Sequence, residues 1–235
     1  MYLLRSLLFG IMFYTGSVPF VLGAFIGTYT SVALLRSSVR GWSVYHHLTA
    51  RWILGIRTEV DGVLPAGAVL FAVKHESFFE TIDMPRMFTL PAVVTKSELF
   101  NIPFWGTAAK AFGMIPVDRE GGAGSLRAMI TLAREIKAAD RPIVIFPEGT
   151  RVRHGECPAL QSGFAGLYKL LGLPVVPIAV NSGRLTPKGK PYWHSGIMTY
   201  KVGAIIPPGL PREQVEAKVH AAINALNTPI EAKGQ

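Results

Sequence analysis

The stretch VKHESFFETID, residues 73–83, sets His75 among three acids, Glu76, Glu80 and Asp83, directly after the apolar run Val69 to Val73. Histidine titrates near neutral pH, so a neutral imidazole can take the proton from a hydroxyl. A carboxylate on the other ring nitrogen fixes the tautomer and stabilises the imidazolium that forms. Spacing alone leaves the choice of acid open. Glu76 is adjacent and must curl back, and Glu80 falls at the start of a following helix. Asp83 lies one turn further on, where it can instead favour the helix N-terminus electrostatically. Further polar residues follow three more apolar runs: Lys96 after AVVT, Arg119 after MIPV, and Glu148 with Arg151 after IVIF. The planar fork of arginine gives a phosphate two hydrogen bonds at once, and lysine adds a point charge. The chain contains no Gly-x-Ser-x-Gly elbow, so a covalent serine nucleophile of the hydrolase kind is not supported.

The elements must bring these groups to one place. After about residue 50, short apolar runs alternate with amphipathic ones, which predicts an α/β domain with a mostly parallel central sheet flanked by helices. Strands are expected near Arg57 to Val60, Val69 to Val73, Ala92 to Thr95, Met114 to Val117, Ile143 to Phe146, Val175 to Val180 and Ile197 to Ile206. Helices are expected over Ser125 to Ala139 and Arg212 to Asn227, with the last eight residues as a tail. If most strands are parallel, the polar groups share the carboxyl edge, where open α/β sheets bind ligands.

Ahead of this domain lie thirty residues between Arg5 and Arg36 without a charge, too long for a signal-peptide core and without a convincing cleavage site. As one helix they would span about 45 Å, more than a hydrocarbon core of roughly 30 Å needs. Gly16, Ser17 and Pro19 supply a break, giving a re-entrant helical hairpin; without it, the segment is a single tilted span. The predicted organisation is a membrane-embedded helical segment over residues 1–40 and an α/β domain over 41–235. Arg36, Arg40 and Arg51 place that domain on the cytoplasmic side of an inner membrane.

A formal charge of +9 calls for anionic partners, whether nucleic acid, anionic lipid or a phosphorylated substrate. No recognisable nucleic-acid-binding module is present, which argues against the first. The single cysteine, Cys157, excludes an intrachain disulfide framework and a multi-cysteine metal site. No metal motif or nucleotide phosphate loop is visible, so no metal and no cofactor is expected.

HESFFE, GMIPVDR, FPEGTR and VVPIAV occur in the order and approximate spacing of the four blocks of the glycerophospholipid acyltransferases. Over about residues 55–205 the chain resembles bacterial 1-acylglycerol-3-phosphate acyltransferases, with FPEGTR the most specific element. That resemblance implies that His75 is the general base and the acid at position 80 its orienting partner. Glu80 stands where the family more often has aspartate. It further implies that Arg119, Glu148, Gly149, Thr150 and Arg151 help bind a lysophospholipid phosphate, with Lys96 as another phosphate contact. The implied reaction moves a fatty acyl group from acyl-CoA or acyl carrier protein to lysophosphatidic acid at a lipid bilayer. Rival acceptors are glycerol 3-phosphate, another lysophospholipid or a lyso-aminolipid; a rival class is a membrane-anchored lipid-binding protein without catalysis. The segment VNSGRLTPKGKPYWHSG, with Arg184, Lys188 and Lys190, reads either as a seat for a headgroup or carrier protein or as a solvated loop. His154 and His194 read as surface residues, and Phe78 and Phe79 as core or acyl-chain contacts.

Overall fold

The computed structural model describes residues 2–118 and 122–227; Arg119 and the last eight residues lie outside the described residues. Two helices, α1 (Tyr2–Thr30) and α2 (Val32–Thr49), lead through a π-helical turn to β1 (Ile56–Asp61). Then come β2 (Leu70–Val73), α3 (Phe79–Met87), β3 (Ala92–Lys96), α4 (Trp105–Phe112), β4 (Ile115–Val117), α5 (Gly122–Ala138) and β5 (Ile143–Ile145). The chain finishes with α6 (Ser162–Leu171), β6 (Val175–Val180), the one-turn α7 (Ser182–Leu185), β7 (Gly196–Val202) and α8 (Arg212–Ile223).

The strands form one seven-stranded sheet in the order β1-β7-β6-β2-β5-β3-β4. All neighbours are parallel except β6 and β7. The central strands β2 and β6 are buried at every residue, as expected where helices cover both faces of a parallel sheet. Successive β2 side chains therefore serve opposite cores. Leu70 and Ala72 pack with α5, α6 and α8, while Phe71 and Val73 pack with α3 and the N-terminal helices.

Two predicted ends are corrected. The last strand stops at Val202, not Ile206, because Gly203 turns the chain against Pro177; Ile206 makes only an isolated antiparallel bridge to Val175. The final helix stops at Ile223, short of Asn227, because the Asn224 carboxamide turns back onto the His220 carbonyl at 2.8 Å.

The N-terminal segment is a hairpin whose turn lies at Ser31, while α1 runs unbroken through Gly16, Ser17 and Pro19. Gly16 and Ser17 serve the helix–helix contact instead. Ser17 Oγ accepts from Trp42 Nε1 at 2.8 Å, and the Tyr45 ring fills the space beside Gly16 while its hydroxyl donates to the Met12 carbonyl at 2.6 Å. Small residues continue the close approach up to the turn, with Gly23 against Ser38 and Gly27 against the backbone of Leu35. Ser31 is extended (φ −159°, ψ 118°) and caps α2, its hydroxyl accepting from Leu34 N at 3.4 Å.

The hairpin is fastened to the sheet. Phe9 and Phe13 are buried against His46 and Phe79, Ser43 Oγ donates to the Ile82 carbonyl at 2.6 Å, and Trp193 N donates to Ser6 Oγ at 2.8 Å. The opposite side of α1 exposes Leu4, Leu7, Leu8, Ile11, Val18, Leu22 and Ile26 in a stripe at helical spacing. By length and composition α1 is apolar enough to cross a membrane.

Gly27 tests the hairpin directly, because a Cβ there would stand 2.8 Å from the Leu35 Cα, while at Gly10 it would meet nothing within 4 Å. Gly27→Ala is expected to destabilise the protein by about 1–3 kcal/mol through overpacking. Gly10→Ala should leave it unchanged or raise stability by up to about 1 kcal/mol. Thermal unfolding in detergent measures both, and equal melting temperatures would contradict the packing described.

Candidate active site

His75 stands two residues beyond β2, at the carboxyl edge of the sheet. Its main chain is held on both sides, since its amide donates to Glu148 Oε2 at 2.9 Å and its carbonyl accepts from Val152 N at 2.8 Å. The ring rests on Phe146 with centroids 4.4 Å apart and is 16% exposed, leaving a way in for a reactant.

Of the three acids, Glu80 is the one paired with His75, its Oε1 lying 3.0 Å from Nδ1. Glu80 is fully buried, in the first turn of α3. Its extra methylene, relative to aspartate, lets the carboxylate fold back under the turn. There Oε1 also accepts the amides of Glu76 (2.7 Å) and Ser77 (2.6 Å), while Oε2 accepts Ser182 Oγ at 2.8 Å. Amide groups only donate, so Oε1 is an acceptor; Nδ1 facing it carries the proton, and the lone pair is left on Nε2.

Asp83 faces the other way. Its Oδ2 accepts from Arg86 and Tyr200 OH at 3.0 and 2.9 Å, and Oδ1 lies 3.8 Å from His46 Nδ1. Burial alone would raise its pKa, but His46 and Arg86 outweigh it and hold the carboxyl below its ordinary range. With a folded pKa below the unfolded one, Asp83 contributes stability above the ordinary aspartate range, lost as pH falls through the depressed value. Burial and Asp83 hold the Tyr200 phenol well above its ordinary pKa, so it stays a donor.

Glu76 serves a second histidine. Its carboxylate lies 3.0 Å from His154 Nδ1 and accepts from Gly183 N at 2.7 Å. His154, read from the sequence as a surface residue, is therefore a partly buried neighbour of the site, its side chain 9% exposed and its Nε2 without a hydrogen-bond partner among the described residues. Nothing in sequence spacing announces this pair, because the residues are 78 positions apart.

The FPEGTR segment leaves β5 and turns beneath His75. Glu148 is buried, with Oε1 taken by Lys74 Nζ at 2.6 Å and Oε2 by the His75 amide. Gly149 adopts a left-handed φ of 70° and its amide donates to the Phe146 carbonyl; Thr150 is exposed. Arg151 is exposed and lines a solvent-open polar cavity of about 500 Å³, together with Glu76 and Ser77. Lys96 ends β3 at the same edge but two strands from His75, with its ammonium 2.7 Å from Glu98 Oε1. The structure thus joins His75, Glu80, Glu148, Gly149 and Arg151 in one turn-on-turn cluster, with Lys96 at its flank. Arg119 lies outside the described residues.

Lys74 is the residue that sequence reasoning missed most plainly. Fully buried, it donates to Glu148 Oε1, the Glu156 carbonyl (2.7 Å) and Asn224 Oδ1 (2.7 Å), tying the His75 turn to the end of α8. A lysine ending the buried run VLFAV was a readable signal, because an ammonium there needs partners. Among the described residues, no group of acids, histidines and cysteines is placed to hold a metal ion.

A second, apolar cavity, open to solvent on one side, lies between the hairpin, α3 and α4. Phe20, Trp42, Leu99, Trp105 and Phe112 line it, together with Ile82 from α3.

The family model described as Acyltransferase matches residues 56–181. The 1-acyl-sn-glycerol-3-phosphate acyltransferase of Pseudomonas aeruginosa is 31% identical over 202 residues, covering 85% of this chain and 76% of the relative. The Helicobacter pylori protein of the same name is 36% identical over 122 residues, 52% of this chain and 49% of its own. The crystal structure of the 1-acyl-sn-glycerophosphate (LPA) acyltransferase PlsC from Thermotoga maritima superposes over 100% of both chains with a TM-score of 0.78 at 17% identity, a likeness of fold. With the family match running from β1 through β6 and the Pseudomonas relative aligned along most of both sequences, this chain belongs to the acyltransferase family.

Proposed function

We propose that the protein moves a fatty acyl group from a thioester, acyl-CoA or acyl carrier protein, to the free hydroxyl of a lysophosphatidic acid, giving phosphatidic acid in phospholipid biosynthesis. The observation that carries this reading is the His75–Glu80 pair, with Nδ1 turned to the carboxylate and the ring partly exposed. The acceptor hydroxyl gives its proton to Nε2 as its oxygen attacks the thioester carbonyl. Glu80 stabilises the imidazolium. The tetrahedral intermediate collapses, the C–S bond breaks, and the departing thiolate takes the proton from Nε2, returning neutral histidine and a free thiol.

Arg151, Lys96 and Arg119 are the proposed phosphate contacts, with Thr150 beside them. Glu148 fits a different part. Both of its oxygens are engaged and a carboxylate repels a phosphate, so it holds the His75 amide while Gly149 shapes the turn. The apolar cavity beside α3 suits an acyl chain. The exposed stripe of α1, continued by Leu99, Ile102 and Phe104, suits burial among lipid tails. Arg36, Arg40 and Arg51 favour the cytoplasmic face of an inner membrane.

Product analysis by mass spectrometry, with a panel of lysolipids and both thioester types, tests the reaction and names the donor. His75→Ala and Glu80→Ala are each expected to lower kcat by at least about a hundredfold, with acceptor KM little changed. Normal turnover in the Glu80 variant would refute the proposed pair. For the membrane, Leu7→Glu with Ile11→Glu places two charges on the exposed stripe and touches no core residue. This variant should stay folded but fail to float with phospholipid vesicles in high salt, where the unaltered protein floats; equal flotation would show that the stripe is not the lipid contact.

A further inference from the structure

The connection between α7 and β7 lines the polar cavity together with Arg151. Its residues Pro187 to Lys190 make a tight turn, with Lys190 N donating to the Pro187 carbonyl at 3.2 Å and Gly189 at a φ of 80°. A left-handed third residue is what such a turn demands, and glycine supplies it without a Cβ penalty. Lys188 and Lys190 flank that glycine, and both line the cavity with Arg151. Lys188 Nζ donates to the Arg151 carbonyl at 2.7 Å, and the next amide, Val152 N, donates to the His75 carbonyl at 2.8 Å. The lysine turn is therefore fastened, through one residue, to the main chain of His75. The acid at the cavity wall, Glu76, is turned to His154 and Gly183.

We infer that Lys188 and Lys190 complete, with Arg151, a site for a phosphomonoester, holding the acceptor's phosphate and selecting a terminal, doubly charged phosphate over a diester headgroup. The inference deepens the function proposed above and rests on it. Two substrates of that reaction carry phosphate, and distance separates them. In a lysophosphatidic acid only one glycerol carbon lies between the carbon that bears the reacting hydroxyl and the phosphate oxygen. In a thioester of coenzyme A or a carrier protein, the whole pantetheine arm separates the reacting carbonyl from the nearest phosphate. A cationic cavity lined by the two residues that follow His75 is placed for the first. A phosphomonoester carries about −1.5 to −2 charge at pH 7, where a diester carries one, so added ammonium groups discriminate between them.

The test uses the full-length protein in mixed micelles, with Lys188→Gln and Lys190→Gln beside Lys169→Gln, an exposed lysine on α6, as control. Each cavity variant should raise the KM for lysophosphatidic acid roughly tenfold. The KM for the thioester and that for a lysolipid with a choline diester should move by less than about threefold, so the monoester preference falls. Lys190→Arg should keep most of the preference. A second measurement needs no turnover: glycerol 3-phosphate titrated against tryptophan fluorescence, with Trp193 in the cavity wall as reporter, should show a Kd raised roughly tenfold in Lys190→Gln. A rise confined to the thioester KM would assign the lysines to the donor and overturn the inference, as would unchanged constants throughout. If the unaltered protein acylates no lysophosphatidic acid yet binds glycerol 3-phosphate through Lys190, the proposed reaction falls and the phosphomonoester site stands.

Discussion

A carboxylate with no access to water, Glu80, is the constraint on which the catalytic end of this fold depends. A buried charge is costly unless its oxygens are answered by donors. Here four answer it: the His75 ring, two successive amides and the Ser182 hydroxyl. Each donor comes from a particular place in the sheet. His75 and the amides belong to the turn after β2, Glu80 to the start of α3, and Ser182 to the residue pair after β6, which is hydrogen-bonded to β2 along its whole length. Displacing Ser182 leaves Oε2 without a donor in the interior, and displacing any of the other three thins the set that holds Oε1, so the carboxylate fixes the turn as firmly as the turn fixes the histidine.

Two further pairs of polar side chains repeat the arrangement around it. Lys74 and Glu148 join the same turn to the segment after β5 and to the end of α8, and Glu76 with His154 joins it to the segment after Glu148 and to α7. Buried ion pairs are weak evidence for stability, because desolvation offsets most of their attraction. What they supply here is orientation. The residues before and after His75 are each anchored by a charged group of their own, so the imidazole is aimed by a main chain with little freedom left.

The parts of this arrangement that the sequence reveals are those encoded by local pattern. The all-apolar runs LFAV and VVPIAV announce central strands, and His75 at the end of one of them announces a group at the carboxyl edge. The parts that stayed hidden depend on contacts between distant segments. Gly16, Ser17 and Pro19 have the composition of a helix break, yet a packed partner helix uses the glycine as a recess for Tyr45 and the serine as an acceptor for Trp42. A single proline inside a long apolar helix removes one hydrogen bond, which that packing outweighs. Ser182 and His154 carry no local signal at all, being 102 and 78 residues from the acids they meet. The glutamate at position 80 was readable as a departure from the usual aspartate, but its consequence, a carboxylate folded back onto two amides, required the turn itself.

The central claim is that Glu80 holds His75 as the tautomer with its proton on Nδ1 and a free lone pair on Nε2. Nitrogen-15 NMR of histidine-labelled protein measures this directly, with the His75 signal assigned by its loss in His75→Gln. At a pH where the ring is neutral, the account predicts a pyrrole-type Nδ1 and a pyridine-type Nε2 in the unaltered protein, and a mixture of tautomers in Glu80→Ala. A His75 ring with its proton on Nε2, or a tautomer unmoved by loss of the Glu80 carboxylate, would contradict it.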